Sequence, residues 1–206
     1  MKICFTLDDV LRAKTVQIGK IYQKCINPDI DLSTLDFSTN DYCSIFNFKN
    51  KAEYMKFLYE DYPFEIFGEA NMVTKMLDKH LNLWHIDITN RDDLHENVEV
   101  MLSNPMEFNN SIGFTYFFLS KAATRIREVY FPADSADIWN RCDVLVTADP
   151  KLIETKPEGK ICIKIETSYN KDLKADYSYE NLDAFLQDKE IIETLTSKRE
   201  DDKNVG

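Results

Sequence analysis

Short apolar runs, separated by helix-sized segments, predict a sheet of buried parallel strands. Each run is bounded by polar or turn-forming residues, which is typical of strands covered on both faces. The predicted strands are Lys2–Leu7, Val98–Leu102, Glu128–Phe131, Asp143–Thr147 and Lys160–Ile165. Because the last four are mostly spaced by lengths that fit a helix, they indicate βαβ units. We therefore expect an α/β fold with a doubly wound, mostly parallel, five-stranded sheet.

Apolar residues that recur at helical spacing predict the helices. The predicted helices are Ala52–Tyr62, Glu69–Leu83, Ser111–Arg127, a shorter one around Trp139, and Tyr179–Ser197. Pro63 should end the first of these. The interval from Arg12 to Asn97 has no comparable strand pattern, so we expect a mostly helical insertion between the first and second strands.

Length and charge limit the classes of protein to consider. The chain of 206 residues is 44% hydrophobic, which is enough for one α/β domain with an insertion. Its net charge of −11 disfavours binding to nucleic acid or to an anionic membrane, because both require cations that neutralise phosphates. No apolar run approaches the roughly 18 residues of a membrane span. The acidity would suit a cation site.

Cysteine and histidine offer no recognisable metal site. The five cysteines are scattered without CxxC spacing, and no signal peptide is apparent, so we expect free thiols in a reducing cytoplasm. His80, His85 and His95 share no ligand spacing, and His80 lies on an apolar helical face. The chain also lacks a glycine-rich phosphate loop.

The first strand leads directly into acidic residues. It continues as Thr6-Leu7-Asp8-Asp9-Val10-Leu11, at the strand end where open α/β sheets bind their ligands. This segment resembles the first motif of the haloacid-dehalogenase-like phosphohydrolases, Asp-x-Asp-Gly-Val-Leu. The resemblance implies the Rossmann-like core of that superfamily, with a helical cap inserted after the first strand. It also places Thr6 at the position of the nucleophile and Asp8 at that of the general acid/base.

The second strand resembles the second motif of that family. Val98–Ser103 is an apolar strand ending in a hydroxyl residue, and the resemblance implies that Ser103 binds a phosphate oxygen. Alternatively, Ser103 begins a turn in Ser103-Asn104-Pro105. Both interpretations remain open at this point.

The third and fourth motifs depart further from the family pattern. Cys142–Lys151 resembles the fourth motif, whose two aspartates hold Mg²⁺, but the matching residues are Thr147 and Ala148, with Asp149 one place later. The third motif requires a lysine between residues 132 and 141, where Arg141 is the only cation. Thr167–Asn170 resembles the Tyr-Asn or Trp-Asn ending of the cytosolic 5′(3′)-deoxyribonucleotidase branch.

The resemblance implies a division of the chain into two units and a tail. Residues 1–11 and 98–198 would form the α/β core, and residues 12–97 the helical cap. Residues 199–206 are highly charged and are expected to fray.

The departures from the motifs lead to two functional hypotheses. Transfer through an aspartyl-phosphate needs a carboxylate nucleophile, Mg²⁺ and a cation near the phosphate. Because all three are altered, the first hypothesis is a non-hydrolytic cytoplasmic member that binds a small molecule or a partner protein; Mg²⁺ is a possible cofactor but is disfavoured by the altered residues. The alternative is a Mg²⁺-dependent phosphatase, of 5′-nucleotidase type, that uses Asp8, Asp9 and Asp149, with Asp8 and Asp149 on the metal and Ser103 on the phosphate.

A third possibility is a different doubly wound fold whose strand ends match these motifs by chance. A first strand at the edge of the sheet would favour it.

Overall fold

The computed structural model describes residues 1–90, 97–105 and 109–195, and its centre is a parallel sheet of six strands. The strands are β1 Lys2–Thr6, β2 Glu99–Ser103, β3 Glu128–Tyr130, β4 Val144–Thr147, β5 Ile161–Ile165 and β6 Tyr177–Tyr179. The five predicted strands are confirmed, and their bounds agree to within one residue at either end. The prediction of five strands was wrong by one: β6 is a three-residue edge strand without an apolar run, and its side chains are at most half-buried.

The strand order is β3-β2-β1-β4-β5-β6, so β1 lies inside the sheet between β2 and β4. An edge position of β1, which would have favoured an unrelated doubly wound fold, is not observed. The strand order reverses at β1, and such reversal points are where open α/β sheets bind ligands. Thr6 pairs in register with Ser103, and Phe5 pairs with Val146, so the carboxyl ends of three strands meet beside β1.

Alternate residues of the strands point into two apolar layers, as expected for a sheet covered on both faces. Phe5 packs on one face with Trp84 and Phe185, its ring centroid 5.3 Å and 5.8 Å from theirs. Cys4 belongs to the opposite layer, together with Trp139. The α/β class with helices on both faces is therefore confirmed.

Eight α-helices lie within the described residues. They are α1 Lys14–Cys25, α2 Tyr42–Ile45, α3 Lys51–Lys56, α4 Leu77–Thr89, α5 Asn109–Lys121, α6 Ala136–Trp139, α7 Pro150–Glu154 and α8 Leu182–Gln187. Two π-helical turns, Phe57–Asp61 and Phe64–Gly68, follow α3 on either side of Pro63. No helix in the described part of the chain is both long and apolar enough to cross a membrane.

Three helix predictions were partly wrong. The helix predicted over Ser111–Arg127 ends at Lys121. The helix predicted from Glu69 begins only at Leu77, because the preceding segment forms backbone hydrogen bonds with the loop after β1: Ala13 N donates to Asn71 O, and Val73 N donates to Leu11 O. The helix predicted from Tyr179 begins at Leu182, since Tyr179 belongs to β6.

The same predicted helix is also interrupted after Gln187. The Asp188 carboxylate accepts the amide hydrogens of Glu190 and Ile191, which forms a turn before a helical segment at residues 191–195. The predicted end of that helix, the tail 199–206 and His95 lie outside the described residues.

The insertion has an apolar cluster of its own. Residues of α1, α2 and the π-helical turns, including Tyr22, Phe46 and Phe67, pack together in it. By contrast, α4 packs with the sheet, where Trp84 lies against Phe5. Within residues 12–97, the segment up to the π-helical turns therefore packs in its own cluster, whereas α4 packs on the sheet. The division into core and cap stays a prediction.

Candidate functional site

Three hydroxyl side chains lie where β1, β2 and β4 end. Thr6 Oγ1 donates to Thr147 Oγ1 over 3.1 Å, and Thr147 Oγ1 also accepts the amide hydrogen of Asp149 at 3.1 Å. Thr6 is 3% exposed and Thr147 is fully buried. The predicted nucleophile position is thus occupied by a neutral alcohol hydrogen-bonded to a second alcohol.

Ser103 ends β2 beside Thr6, but its hydroxyl is hydrogen-bonded to the backbone. Ser103 Oγ donates over 2.9 Å to the carbonyl oxygen of Tyr130 at the end of β3. The next residue, Asn104, is the one that reaches the first-motif loop: its Oδ1 accepts the Asp8 amide hydrogen at 3.3 Å. The local structure therefore accounts for Ser103 without a phosphate, and its role as a phosphate ligand stays a prediction.

The loop after β1 turns sharply at Asp9. The carbonyl oxygen of Leu7 accepts hydrogen bonds from the amides of Leu11 and Arg12, both at 2.9 Å. Asp9 has φ of +57°, in the left-handed region that favours Gly and, among other residues, Asn and Asp. In the motif that the sequence resembles, Gly stands at this position.

The Asp8 carboxylate is bound by the protein's own cations. Its Oδ1 accepts from Arg12 Nε at 2.9 Å and from Arg12 Nη2 at 2.5 Å, and its Oδ2 accepts from Lys14 Nζ at 2.8 Å. Asn104 Nδ2 lies 3.4 Å from the same Oδ2. Burial opposes ionisation of Asp8, but the charges and hydrogen bonds of Arg12 and Lys14 outweigh it and hold the pKa well below its usual range.

Arg12 connects this carboxylate to the insertion and to α5. Its side chain is fully buried, and Nη1 donates to the Phe67 carbonyl oxygen and to Thr115 Oγ1, both at 2.9 Å. The guanidinium lies 5.2 Å from the centroid of the Phe67 ring. A charge buried this completely is stable only when paired and hydrogen-bonded, as it is here.

Lys14 approaches Asp8 from the solvent side. Its side chain is 19% exposed, and its ammonium lies 5.8 Å from the centroid of the Phe67 ring. Burial alone would lower the pKa of Lys14, but Asp8 more than compensates and the pKa is raised. Arg12 and Lys14 are cations at the strand ends that we did not single out in the sequence. The available signal was the spacing of four residues between Asp8 and Arg12, with Arg12 in an otherwise apolar segment.

Asp9 has a different set of partners. Its Oδ1 accepts the Thr15 amide hydrogen at 3.0 Å, and its Oδ2 accepts from Thr15 Oγ1 and, at 2.9 Å, from Tyr169 OH. Burial raises the pKa of Asp9, although the hydrogen bonds from Thr15 and Tyr169 act against this. Thr15 Oγ1 also shares a hydrogen bond with Tyr42 OH. Asp9 therefore holds the first turn of α1 against the loop that follows β5.

Asp149 caps α7, and Asn170 holds the loop in front of it. Asp149 Oδ1 accepts the Lys151 amide hydrogen at 2.9 Å, and burial raises the pKa of Asp149. Asn170 Nδ2 donates to the carbonyl oxygens of Ala148 and Ile165, at 2.9 and 3.0 Å. The Tyr-Asn pair singled out in the sequence thus lies at these strand ends, Tyr169 on Asp9 and Asn170 between the loops after β4 and β5.

The remaining basic residues named in the sequence lie elsewhere. The guanidinium carbon of Arg141 lies over the Tyr130 ring, 3.8 Å from its centroid. His80 Nδ1 lies 2.9 Å from Asp183 Oδ1. The lysine that the third motif requires therefore has no counterpart at Arg141. The cations that bind Asp8 come instead from the loop after β1, which supplies Arg12, and from the first residue of α1, Lys14.

The site does not fit the Mg²⁺ that the family resemblance implies. Mg²⁺ requires several oxygen ligands around it, with carboxylates contributing charge. Both oxygens of Asp8 already accept from cationic groups, while Asp9 and Asp149 are bound to separate backbone and hydroxyl donors. Within residues 1–90, 97–105 and 109–195, no group of three or more His, Cys, Asp or Glu side chains is arranged to hold a metal ion.

In comparisons with known proteins, no protein-family model matches the chain, and no curated protein matches it significantly.

Proposed function

We propose that this chain is a haloacid-dehalogenase-like protein that does not hydrolyse phosphoesters and acts as a binding module for a ligand or a partner protein. Two features support the family assignment. The partial motifs lie at the ends of β1, β2 and β4, which are neighbours in one parallel sheet, and Asp9 has a left-handed conformation, which favours the glycine that stands at its position in the motif. The observation that carries the loss of hydrolysis is the pairing of Asp8 with Arg12 and Lys14.

The geometry leaves Thr6 without an activating base. An alcohol becomes a useful nucleophile only when a base within hydrogen-bonding distance takes its proton. The partner of Thr6 is Thr147, which is neutral. Asp8 is a poor base because its pKa is lowered, so its carboxylate has little affinity for a proton.

The alternative function is a metal-dependent phosphatase of 5′-nucleotidase type that uses Asp8, Asp9 and Asp149. It requires Asp8 to exchange Lys14 for a metal ion. It also requires Asp9 to leave Thr15 and Tyr169, and Asp149 to turn away from the α7 amides. Each change breaks a hydrogen bond to a partly buried carboxylate, so the non-hydrolytic function needs fewer rearrangements.

A phosphatase screen separates the two functions. Wild type, Asp8→Ala, Asp9→Ala and a control, Asp61→Ala at an exposed ion pair, are assayed against phosphomonoesters, including nucleotides, with Mg²⁺, Mn²⁺, Co²⁺ or Zn²⁺. We expect no turnover above the protein-free blank in any of the four proteins. Turnover that survives in Asp61→Ala and disappears in Asp8→Ala would establish the phosphatase and overturn the proposal.

A further inference from the structure

The two cations on Asp8 differ in their access to solvent. None of the Arg12 side-chain surface is exposed to solvent. By contrast, 19% of the Lys14 side-chain surface and 22% of the Asp8 side-chain surface are exposed. The fully buried Arg12 therefore binds the Oδ1 side of the carboxylate, and the partly exposed Lys14 binds the Oδ2 side. A cation from solvent would compete with Lys14 on the Oδ2 side.

Lys14 occupies that side at contact distance. Its Nζ is 2.8 Å from Asp8 Oδ2, and Asn104 Nδ2 lies 3.4 Å from the same oxygen. A divalent cation coordinated to Oδ2 would lie roughly 2.0–2.6 Å from it, so the cation would collide with the ammonium and be repelled by its charge. Lys14 and the cation thus compete for one position.

We propose that Lys14 is the resident counter-cation of this site, and that its ammonium replaces the divalent metal ion and keeps such ions from binding at Asp8. The inference deepens the proposed function and rests on it for the identity of the site. The position is available to Lys14 because Asp9 holds the first turn of α1 through the Thr15 amide, and Thr15 directly follows Lys14. The ammonium is covalently attached, so its occupancy does not depend on the metal concentration of the surroundings.

Metal binding without substrate tests this directly. Mn²⁺ is titrated into wild type, Lys14→Met, the double variant Lys14→Met/Asp8→Asn, and Lys20→Met, which removes an exposed lysine from the same helix. Free Mn²⁺ is followed by electron paramagnetic resonance. Removal of the adjacent positive charge should tighten Mn²⁺ binding at least about tenfold in Lys14→Met. The gain should be lost in the double variant, and Lys20→Met should behave as wild type.

Two results would overturn the proposal. One is a wild-type Mn²⁺ site, as tight as that in Lys14→Met, that Asp8→Asn abolishes. The other is a folded Lys14→Met variant with no gain in affinity. Should Lys14→Met fail to fold, as judged by circular dichroism, Lys14→Gln replaces it as the variant without the charge and Lys14→Arg serves as the variant that keeps it; equal Mn²⁺ affinities in these two would overturn the proposal. Since no substrate is present, this result is independent of the phosphatase screen: turnover without metal would end the proposed function and leave Lys14 as the counter-cation.

Discussion

Arg12 donates to Asp8 Oδ1 through both Nε and Nη2, and no part of its side chain reaches solvent. Its Nη1 donates to the Phe67 carbonyl oxygen and to Thr115 Oγ1. One buried cation therefore joins the end of β1, the insertion and α5. The charge of Asp8 is the counterpart that makes this burial tolerable.

We expect Asp8→Asn to lower the free energy of unfolding by about 3 kcal/mol, because it leaves the buried Arg12 guanidinium without its counter-charge. Urea unfolding monitored by circular dichroism measures the loss. Asp61→Asn is the matched control: it removes the carboxylate of the Lys56–Asp61 pair, in which both side chains are exposed, and should change the stability far less. Equal losses in the two variants would contradict the structural importance of the Asp8–Arg12 pair.

The same carboxylate should govern part of the acid sensitivity. The folded-state pKa of Asp8 lies below the roughly 3.9 of an unfolded aspartate, so its stabilising contribution is complete above about pH 4 and is lost as the pH falls further. The stability difference between wild type and Asp8→Asn should shrink as the pH is lowered from 6 to about 2. The pKa values of Asp9 and Asp149 are raised, so these groups contribute with the opposite sign. Burial is the largest cause in each case and is common to both proteins, while the smaller effect of the Asp8 charge on them is lost in Asp8→Asn. A difference that stays constant over this range would contradict the lowered pKa.

Most of the sheet was predictable from the sequence because its four inner strands are buried on both faces. An uninterrupted apolar run such as Ile3-Cys4-Phe5, bounded by polar residues, is typical of such a strand. The edge strand Tyr177–Tyr179 lacks that signal, because one side of it faces solvent and its side chains are at most half-buried. Edge strands of this kind depend on pairing with a neighbour, which a local pattern does not reveal.

The location of the candidate site at adjacent strand ends could be predicted from the sequence, but the partners of its side chains could not. Placing Thr6, Asp8 and Thr147 at adjacent strand ends required only their order along parallel strands. The pairing of Asp8 with Lys14 depends on the left-handed turn at Asp9 and on the Thr15 hydrogen bonds that orient α1. These are three-dimensional relationships, so the role of Lys14 could not be predicted from the sequence, whereas the spacing of Asp8 and Arg12 gave a signal only for Arg12.

The backbone at Asp9 gives a prediction that compares two variants. Asp9→Gly and Asp9→Ala both lose the bonds to Thr15 and Tyr169, but only Gly adopts φ of +57° without strain. Asp9→Gly should therefore be more stable than Asp9→Ala by about 1 kcal/mol in urea unfolding. At the exposed helical position Lys79 the order should reverse, with Gly about 1 kcal/mol worse than Ala. An Asp9→Ala variant more stable than Asp9→Gly would show that the conformation of Asp9 is not left-handed.

Ala123 provides a stabilising substitution away from the site. It follows α5 with φ of +47° and is exposed, and its carbonyl oxygen accepts from Asn82 Nδ2, a bond that Gly would keep. Ala123→Gly should raise the free energy of unfolding by about 1 kcal/mol, because Gly has no Cβ to strain in the left-handed region. Ala122→Gly, at the buried neighbour, should destabilise instead. Thermal melting of the two variants gives the signs, and a lower Tm for Ala123→Gly would contradict the prediction.

Restoring the family's carboxylate at Thr6 should not restore hydrolysis. Thr6→Asp places a charge at a 3% exposed position whose partner is the Thr147 hydroxyl, so we expect a loss of several kcal/mol in unfolding free energy. Thr6→Val keeps the shape and removes only the hydrogen bond, which should cost about 1 kcal/mol. Neither variant should release phosphate from phosphomonoesters with Mg²⁺, because Lys14 remains on Asp8 and the fourth motif still ends in Thr147 and Ala148. Metal-dependent turnover in Thr6→Asp alone would show that a single residue had silenced an otherwise intact catalytic site.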